Sequence, residues 1–82
     1  MKTKVIINAV ALSLKEDQGK DGGKFYKISI DQDGEAGTLS ISEEAYKSLQ
    51  PSFLKYKPIT LTAEFNDQYK SLRVVSASQG LR

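Results

Sequence analysis

The chain lacks the side chains on which most catalytic and metal sites depend. Its 82 residues include no histidine and no cysteine, so the commonest general base, the thiolate nucleophile and the usual transition-metal ligands are missing. Carboxylates are paired at positions 16 and 17, 31 and 33, and 43 and 44, but each pair falls in a turn pattern or at a helix start, where acids are expected anyway. We therefore expect no enzymatic activity, no metal site and no cofactor.

Aromatic side chains beside lysines indicate a different chemistry, the binding of single-stranded nucleic acid. Phe25 and Tyr26 stand between Lys24 and Lys27, with Lys20 a few residues earlier. Neighbours on a strand point to opposite faces, so one of the two rings lies outside the core, although the alternation does not decide which one faces a ligand. An exposed ring can stack on a base while lysines neutralise phosphates. It can equally shield the core or lie in a dimer interface.

A second candidate ring, Tyr69, falls in a turn pattern next to Lys70 and shares a strand face with Arg73. A tyrosine at a turn needs cover, which a stacked base, a neighbouring subunit or its own hairpin would provide. Tyr56 also lies between two lysines, but we expect it to join Phe53 in closing one end of the fold. The predicted nucleic-acid-binding residues are Lys20, Lys24, Phe25, Tyr26, Lys27, Tyr69, Lys70 and Arg73.

The apolar pattern predicts five strands and one short helix to position these side chains. The strands are expected over residues 4–14, 25–31, 38–41, 58–66 and 69–75. The first has apolar residues on both alternation phases, as a strand shared between two halves of a sheet would. The helix is capped by Ser42 and ends before Pro51. Three strands, a helix and two more strands are the layout of an all-β, five-stranded OB-like barrel, a fold that usually binds a ligand in a groove.

Composition indicates one domain over residues 1–82, with residues 77–82 frayed. Twelve Lys and Arg against ten Asp and Glu give a net charge of +2, which has the sign but not the size typical of a nucleic-acid binder. No stretch approaches the roughly 20 apolar residues that span a bilayer, so we expect a soluble cytoplasmic protein without membrane contact. Surplus apolar residues such as Val75 favour a homodimer.

Two short strings lie where hairpins are predicted. Residues 23–26 read Gly-Lys-Phe-Tyr and residues 68–72 read Gln-Tyr-Lys-Ser-Leu. They resemble Gly-Lys-Pro-Tyr and Gln-Phe-Gly-Ser-Leu of the gene V type single-stranded DNA-binding proteins of filamentous phages. The resemblance implies an OB-fold dimer that coats single-stranded DNA cooperatively during replication of a phage or mobile element, in the host cytoplasm if a phage encodes it. Lys24 and Tyr26 would lie on the DNA-binding wing, and Tyr69 would stack on bases.

Two classes of function follow from these patterns. The leading hypothesis is a sequence-independent single-stranded DNA-binding protein, with RNA as an alternative ligand because stacking does not read the sugar. The chain departs from the gene V pattern by carrying Glu16, Asp17 and Asp21 in its first hairpin, where the family is richer in arginine, and by Phe25 in place of a proline. These acids and the weak net charge support the second hypothesis, a small barrel that serves as a protein-interaction module or adaptor subunit.

Overall fold

Five strands close into a barrel in the computed structural model, which describes residues 2–79. The strands follow one another round the barrel in the order β1-β2-β3-β5-β4, and only β3 and β5 are parallel. The predicted OB-like all-β barrel with one short helix between the third and fourth strands is confirmed. In chain order the elements are β1 (Lys2–Gln18), β2 (Lys24–Gln32), β3 (Glu35–Ile41), α1 (Glu43–Leu49), a 3-10 turn (Gln50–Ser52), β4 (Pro58–Asn66) and β5 (Ser71–Ser78).

β1 is longer than predicted and is shared between two parts of the sheet. Its first half pairs with β4 as far as Val10, and its second half pairs with β2 as far as Gln18. A register shift between Ala11 and Ser13 marks a β-bulge, which moves the inward side chains to the other alternation phase. The bulge explains why apolar residues occupy both phases of this strand. The predicted loop of residues 15–23 shrinks to residues 19–23, because residues 15–18 pair with β2.

The core is mainly aliphatic, with two tyrosine rings, and is covered by α1, which packs against β2 and β5. The Ser42 hydroxyl accepts a hydrogen bond from the Ala45 N–H at 3.2 Å and so caps the helix, as predicted. The ring of Tyr46 packs on that of Tyr26 with centroids 4.3 Å apart and so joins the helix to the core. The largest fully buried side chains are those of Ile28, Leu61 and Val74.

The last described residues make defined contacts with the rest of the barrel. β5 continues to Ser78, and the Gln79 side chain bridges to the backbone of Leu54: the Leu54 N–H donates to Oε1, and Nε2 donates to the Leu54 carbonyl, each at 2.8 Å. Fraying of residues 77–82 stays a prediction, and residues 80–82 lie outside the described residues. β5 begins at Ser71 rather than at residue 69, and β3 begins at Glu35 rather than at residue 38. Within residues 2–79 no helix is long and apolar enough to cross a membrane.

Candidate nucleic-acid interface

Two adjoining depressions form a groove that we call the β2-β3-β5 groove. Their volumes are about 370 and 320 Å³, and Ser40 and Arg73 line both of them. The hairpin of β1 and β2 contributes Lys24 and Phe25 to one depression, and the turn between β4 and β5 contributes Tyr69 to the other. OB-folds bind oligonucleotides on the face of strands two and three, between the loops that follow strands one and four. The groove occupies that position.

Strand register aligns a row of cations, of which Arg73 lines the groove and Lys27 and Lys15 do not. Lys27 of β2 lies opposite Ser40 of β3, which lies opposite Arg73 of β5. Since neighbouring strands are about 4.8 Å apart, the backbones of Lys27 and Arg73 are separated by roughly 10 Å. Lys15 of β1 extends the row on the far side of Lys27, and Glu64 of β4 ends it beside Arg73. Arg73 forms no ion pair with the other described residues, so its guanidinium is available to a phosphate.

The structure separates the two neighbouring aromatics of β2. Phe25 is 49% exposed and Tyr26 only 8%, because Tyr26 shares the inward phase with Ile28. The prediction of a nucleic-acid contact through Tyr26 is corrected: its ring lies against Tyr46 in the core and is not available for stacking, although the residue borders the groove. The ring of Phe25 is the exposed one, and it lies over Gly19, where an added Cβ would stand 3.1 Å from the Phe25 Cε1 atom.

The turn between β4 and β5 holds Tyr69 away from the barrel. The Asn66 Oδ1 atom accepts hydrogen bonds from the N–H groups of Gln68 at 3.0 Å and Tyr69 at 3.4 Å, an arrangement that asparagine side chains often make in turns. Lys70 adopts a left-handed φ of 52° and leads into β5. Tyr69 is 71% exposed, so its own hairpin does not cover it.

Carboxylates of the first hairpin already pair with two predicted phosphate-binding lysines. The Glu16 Oε2 atom lies 3.2 Å from the Lys24 Nζ, and the Asp17 Oδ2 atom lies 3.9 Å from the Lys27 Nζ. The hydrogen bond and the charge of Glu16 raise the pKa of Lys24 above its ordinary value. All four side chains remain well exposed, where ion pairs are weak and salt-sensitive. A phosphate at either lysine competes with a carboxylate.

The remaining predicted residues lie at the edges of the groove. Lys20, in the loop between β1 and β2, and Lys70, in the turn before β5, are exposed and do not line the depressions. Tyr56 does not close the barrel as predicted. It is 72% exposed, and Phe53 alone of the expected pair packs against the core.

Sequence reasoning missed Ser40 and Glu64 as groove residues. Ser40 reaches Arg73 through the parallel contact of β3 and β5, and Glu64 reaches it through the pairing of β4 and β5. Because the parallel contact joins segments that lie far apart in the chain, no local sequence pattern predicts it. Glu64 places a carboxylate in the groove, against the charge expected of a phosphate site.

Comparison with known proteins does not place this chain in a family. No model of a known protein family matches the chain, and no curated protein matches it significantly. Fold and site together define a small five-stranded barrel with an open groove that carries cations and exposed rings. Among residues 2–79 no three side chains of His, Cys, Asp or Glu cluster closely enough to hold a metal ion.

The two neighbouring rings should respond differently to truncation. Because Tyr26 is buried, Tyr26→Ala is expected to lower the free energy of unfolding by about 3–5 kcal/mol. Phe25→Ala removes a half-exposed ring and is expected to cost about 1 kcal/mol. Urea denaturation of both variants measures the difference. Equal losses would contradict the assignment of Tyr26 to the core and Phe25 to the surface.

Proposed function

We propose that this protein binds single-stranded DNA without sequence preference and performs no chemistry on it. The observation that carries the proposal is the β2-β3-β5 groove, in which Arg73 lies between the exposed rings of Phe25 and Tyr69. A cation flanked by aromatic platforms suits a strand whose phosphates and bases alternate along its length. The position of the groove, where OB-folds bind oligonucleotides, supports the same proposal.

In this proposal the rings and the cations divide the work. Bases stack on Phe25 and Tyr69, which accept any base because every base has a π-face. Phosphates are held by Arg73 and by the lysines of the two loop tips, Lys20 and Lys70. Lys24 and Lys27 contribute when a phosphate displaces their carboxylate partners. Nothing in this scheme distinguishes the polarity of the nucleic-acid strand or the identity of its bases. We therefore expect binding that does not depend on base sequence.

The biological setting belongs to the same proposal and rests on the resemblance to the gene V type. Residues 23–26 and 68–72, which carry that resemblance, contribute to the hairpin wall and the turn wall of the groove. We therefore propose a homodimer that coats single-stranded DNA during replication of a phage or mobile element. In this chain Phe25, rather than Tyr26, would supply the stacking ring of the hairpin.

A second candidate function is supported by the carboxylates. Glu16 and Asp17 neutralise lysines of the hairpin, and Glu64 stands beside Arg73 in the groove. A phosphate backbone is repelled by such acids, whereas a protein surface of mixed charge is not. In that case the barrel is an interaction module, and Phe25 and Tyr69 are anchors in an interface with another protein.

Fluorescence anisotropy of labelled oligonucleotides separates the two functions. A short oligo-dT of about six nucleotides, within the range that one OB-fold covers, is titrated at about 50 and 200 mM salt. We expect binding that weakens with salt. The expected slope of log K against log salt is about −2, because each phosphate of a single strand contributes about −0.7 and Lys20, Lys70 and Arg73 are the candidate cations that have no ion pair within residues 2–79.

An oligo-U of equal length is the comparison for the sugar. Equal affinity for the two oligonucleotides would extend the ligand class to RNA. Absence of binding to both at low salt would overturn the proposed function and leave the interaction module as the explanation of the exposed rings.

Removal of the Tyr69 ring is expected to weaken binding without unfolding the protein. Base stacking contributes about 1–3 kcal/mol per base, so Tyr69→Ala should raise the Kd by roughly five- to 150-fold. Because the ring is exposed, the free energy of unfolding should change by less than about 0.5 kcal/mol. Tyr69→Phe keeps the platform and is the matched control. Unchanged affinity in Tyr69→Ala would remove Tyr69 from the binding site.

Removal of the hairpin carboxylates should strengthen binding. In the double variant Glu16→Gln with Asp17→Asn, Lys24 and Lys27 lose their internal partners, and the salt slope should steepen by up to about 1.4, since two further phosphates can be neutralised. The control is Asp33→Asn with Glu44→Gln, which changes the net charge equally at residues that do not line the groove. If both double variants behave alike, the strand does not pass over the hairpin.

A further inference from the structure

A second segment that combines cations with an aromatic ring lies outside the groove. Residues 54–57 read Leu-Lys-Tyr-Lys, and all four are exposed. Tyr56 is the most exposed of the large hydrophobic and aromatic side chains among the described residues, at 72%. Lys55 and Lys57 form no ion pair with the rest of the described chain. We call residues 55–57 the Tyr56 segment.

In the sequence, the charged residues nearest to Tyr56 are both lysines. Between Glu44 and Glu64 the sequence contains no acidic residue, while it contains three lysines, two of them in the segment. The first hairpin differs, since two of its lysines, Lys24 and Lys27, face carboxylates at 3.2 and 3.9 Å. Complementarity to a polyanion is therefore clearer at this segment than at the hairpin.

The backbone of the segment is fixed at both ends. The Ala11 N–H donates to the Lys57 carbonyl at 2.9 Å, and the Tyr56 N–H donates to the Ala11 carbonyl at 2.6 Å. At the other end Gln79 makes its two hydrogen bonds to Leu54. A ring carried on a fixed backbone is a prepared platform, because little conformational freedom is lost when a ligand covers it.

The conformation of Tyr56 is an unfavourable one for its residue type. Its φ is 64°, in the left-handed region that glycine and asparagine adopt readily and bulky residues rarely do. A turn that served only to connect α1 with β4 would be more stable with asparagine at this position. Backbone outliers of this kind are concentrated at binding sites. Here the outlier belongs to the most exposed aromatic ring, which the core does not use.

We propose that the Tyr56 segment is a second contact for single-stranded DNA, with a base stacked on Tyr56 and phosphates on Lys55 and Lys57. This inference rests on the proposed function. The segment lies beside Ala11 of β1, four residues from Lys15 in the cation row, which is about 13 Å along the strand. A strand longer than the groove can therefore engage both contacts, and a short one cannot.

The test compares oligonucleotide lengths in a variant that relieves the strain. Tyr56→Asn replaces the ring with a residue suited to φ of 64°, so the thermal unfolding midpoint should stay the same or rise. Its affinity for an oligo-dT of about 16 nucleotides should fall about fivefold or more, while its affinity for the six-nucleotide oligo-dT stays unchanged. Leu54→Ala, which removes a neighbouring exposed side chain that carries neither ring nor charge, is the matched control and should change neither affinity.

A second variant tests the lysines. For the wild-type protein the salt slope should steepen from about −2 with the short oligo-dT to about −3.5 with the long one, because two more phosphates are neutralised. Lys55→Gln with Lys57→Gln should return the slope for the long oligo-dT to about −2.

The outcomes keep this inference apart from the proposed function. Equal affinities of wild type and Tyr56→Asn for the long oligo-dT would overturn the second contact and leave the groove proposal intact. A lower unfolding midpoint in Tyr56→Asn, or equal losses with both oligonucleotides, would show that Tyr56 acts through the fold or the groove and would also overturn it. Failure of the wild-type protein to bind either oligonucleotide would overturn both proposals together.

Discussion

Closure of the barrel depends on β1, which pairs with β4 along its first half and with β2 along its second. The bulge between Ala11 and Ser13 bends the strand and shifts its alternation phase, so that one strand can pair with β4 before the bend and mainly with β2 after it. Beyond the bulge β1 and β2 continue as a hairpin that carries Phe25 to the wall of the groove. At the bulge itself Ala11 binds the backbone of Tyr56 and Lys57. One bend therefore sets the position of both candidate contact surfaces.

The groove depends on a second long-range contact, the short parallel pairing of β3 with β5. Only two register pairs carry it, Ser40 with Arg73 and Ile41 with Val74. Ser42 extends the contact by donating its N–H to the Val74 carbonyl at 2.8 Å, and the same residue caps α1 through its hydroxyl. Ser42, which caps the helix, therefore also joins β5 to the end of β3. The place of Arg73 between the two rings follows from that connection.

The layout of the barrel could be predicted because most of its information is local. Alternation in β4, the cap at Ser42 and the proline at position 51 each act within a few residues. The phase of Tyr26 was also present in the sequence, since it alternates with Ile28 and Ile30, whose burial decides which face is inward. Both rings were candidates because they lie between lysines, and the pleat exposes Phe25 and buries Tyr26.

What escaped prediction depends on partners distant in the chain. β1 runs through the polar residues 15–18 because β2 supplies their hydrogen bonds, and polar composition alone resembles a loop. The bridge from Gln79 to Leu54 and the approach of Glu64 to Arg73 likewise need the closed barrel before they exist. The exposure of Tyr56 escaped for the same reason, because only the pairing with Ala11 shows which way the turn runs.

Internal ion pairs change what a charged groove can contribute to binding. A phosphate that displaces Glu16 from Lys24, or Asp17 from Lys27, exchanges one anion for another, so the gain in electrostatic free energy is smaller than at an unpaired cation. If the proposed function is right, Arg73, which has no ion pair among the described residues, and the exposed rings would carry more of the binding free energy than the number of cations suggests. Stacking depends weakly on salt compared with phosphate contacts. Under the proposed function, a nearly neutral protein would therefore hold a single strand mainly through aromatic surface, and its few free cations would fix where the phosphates lie.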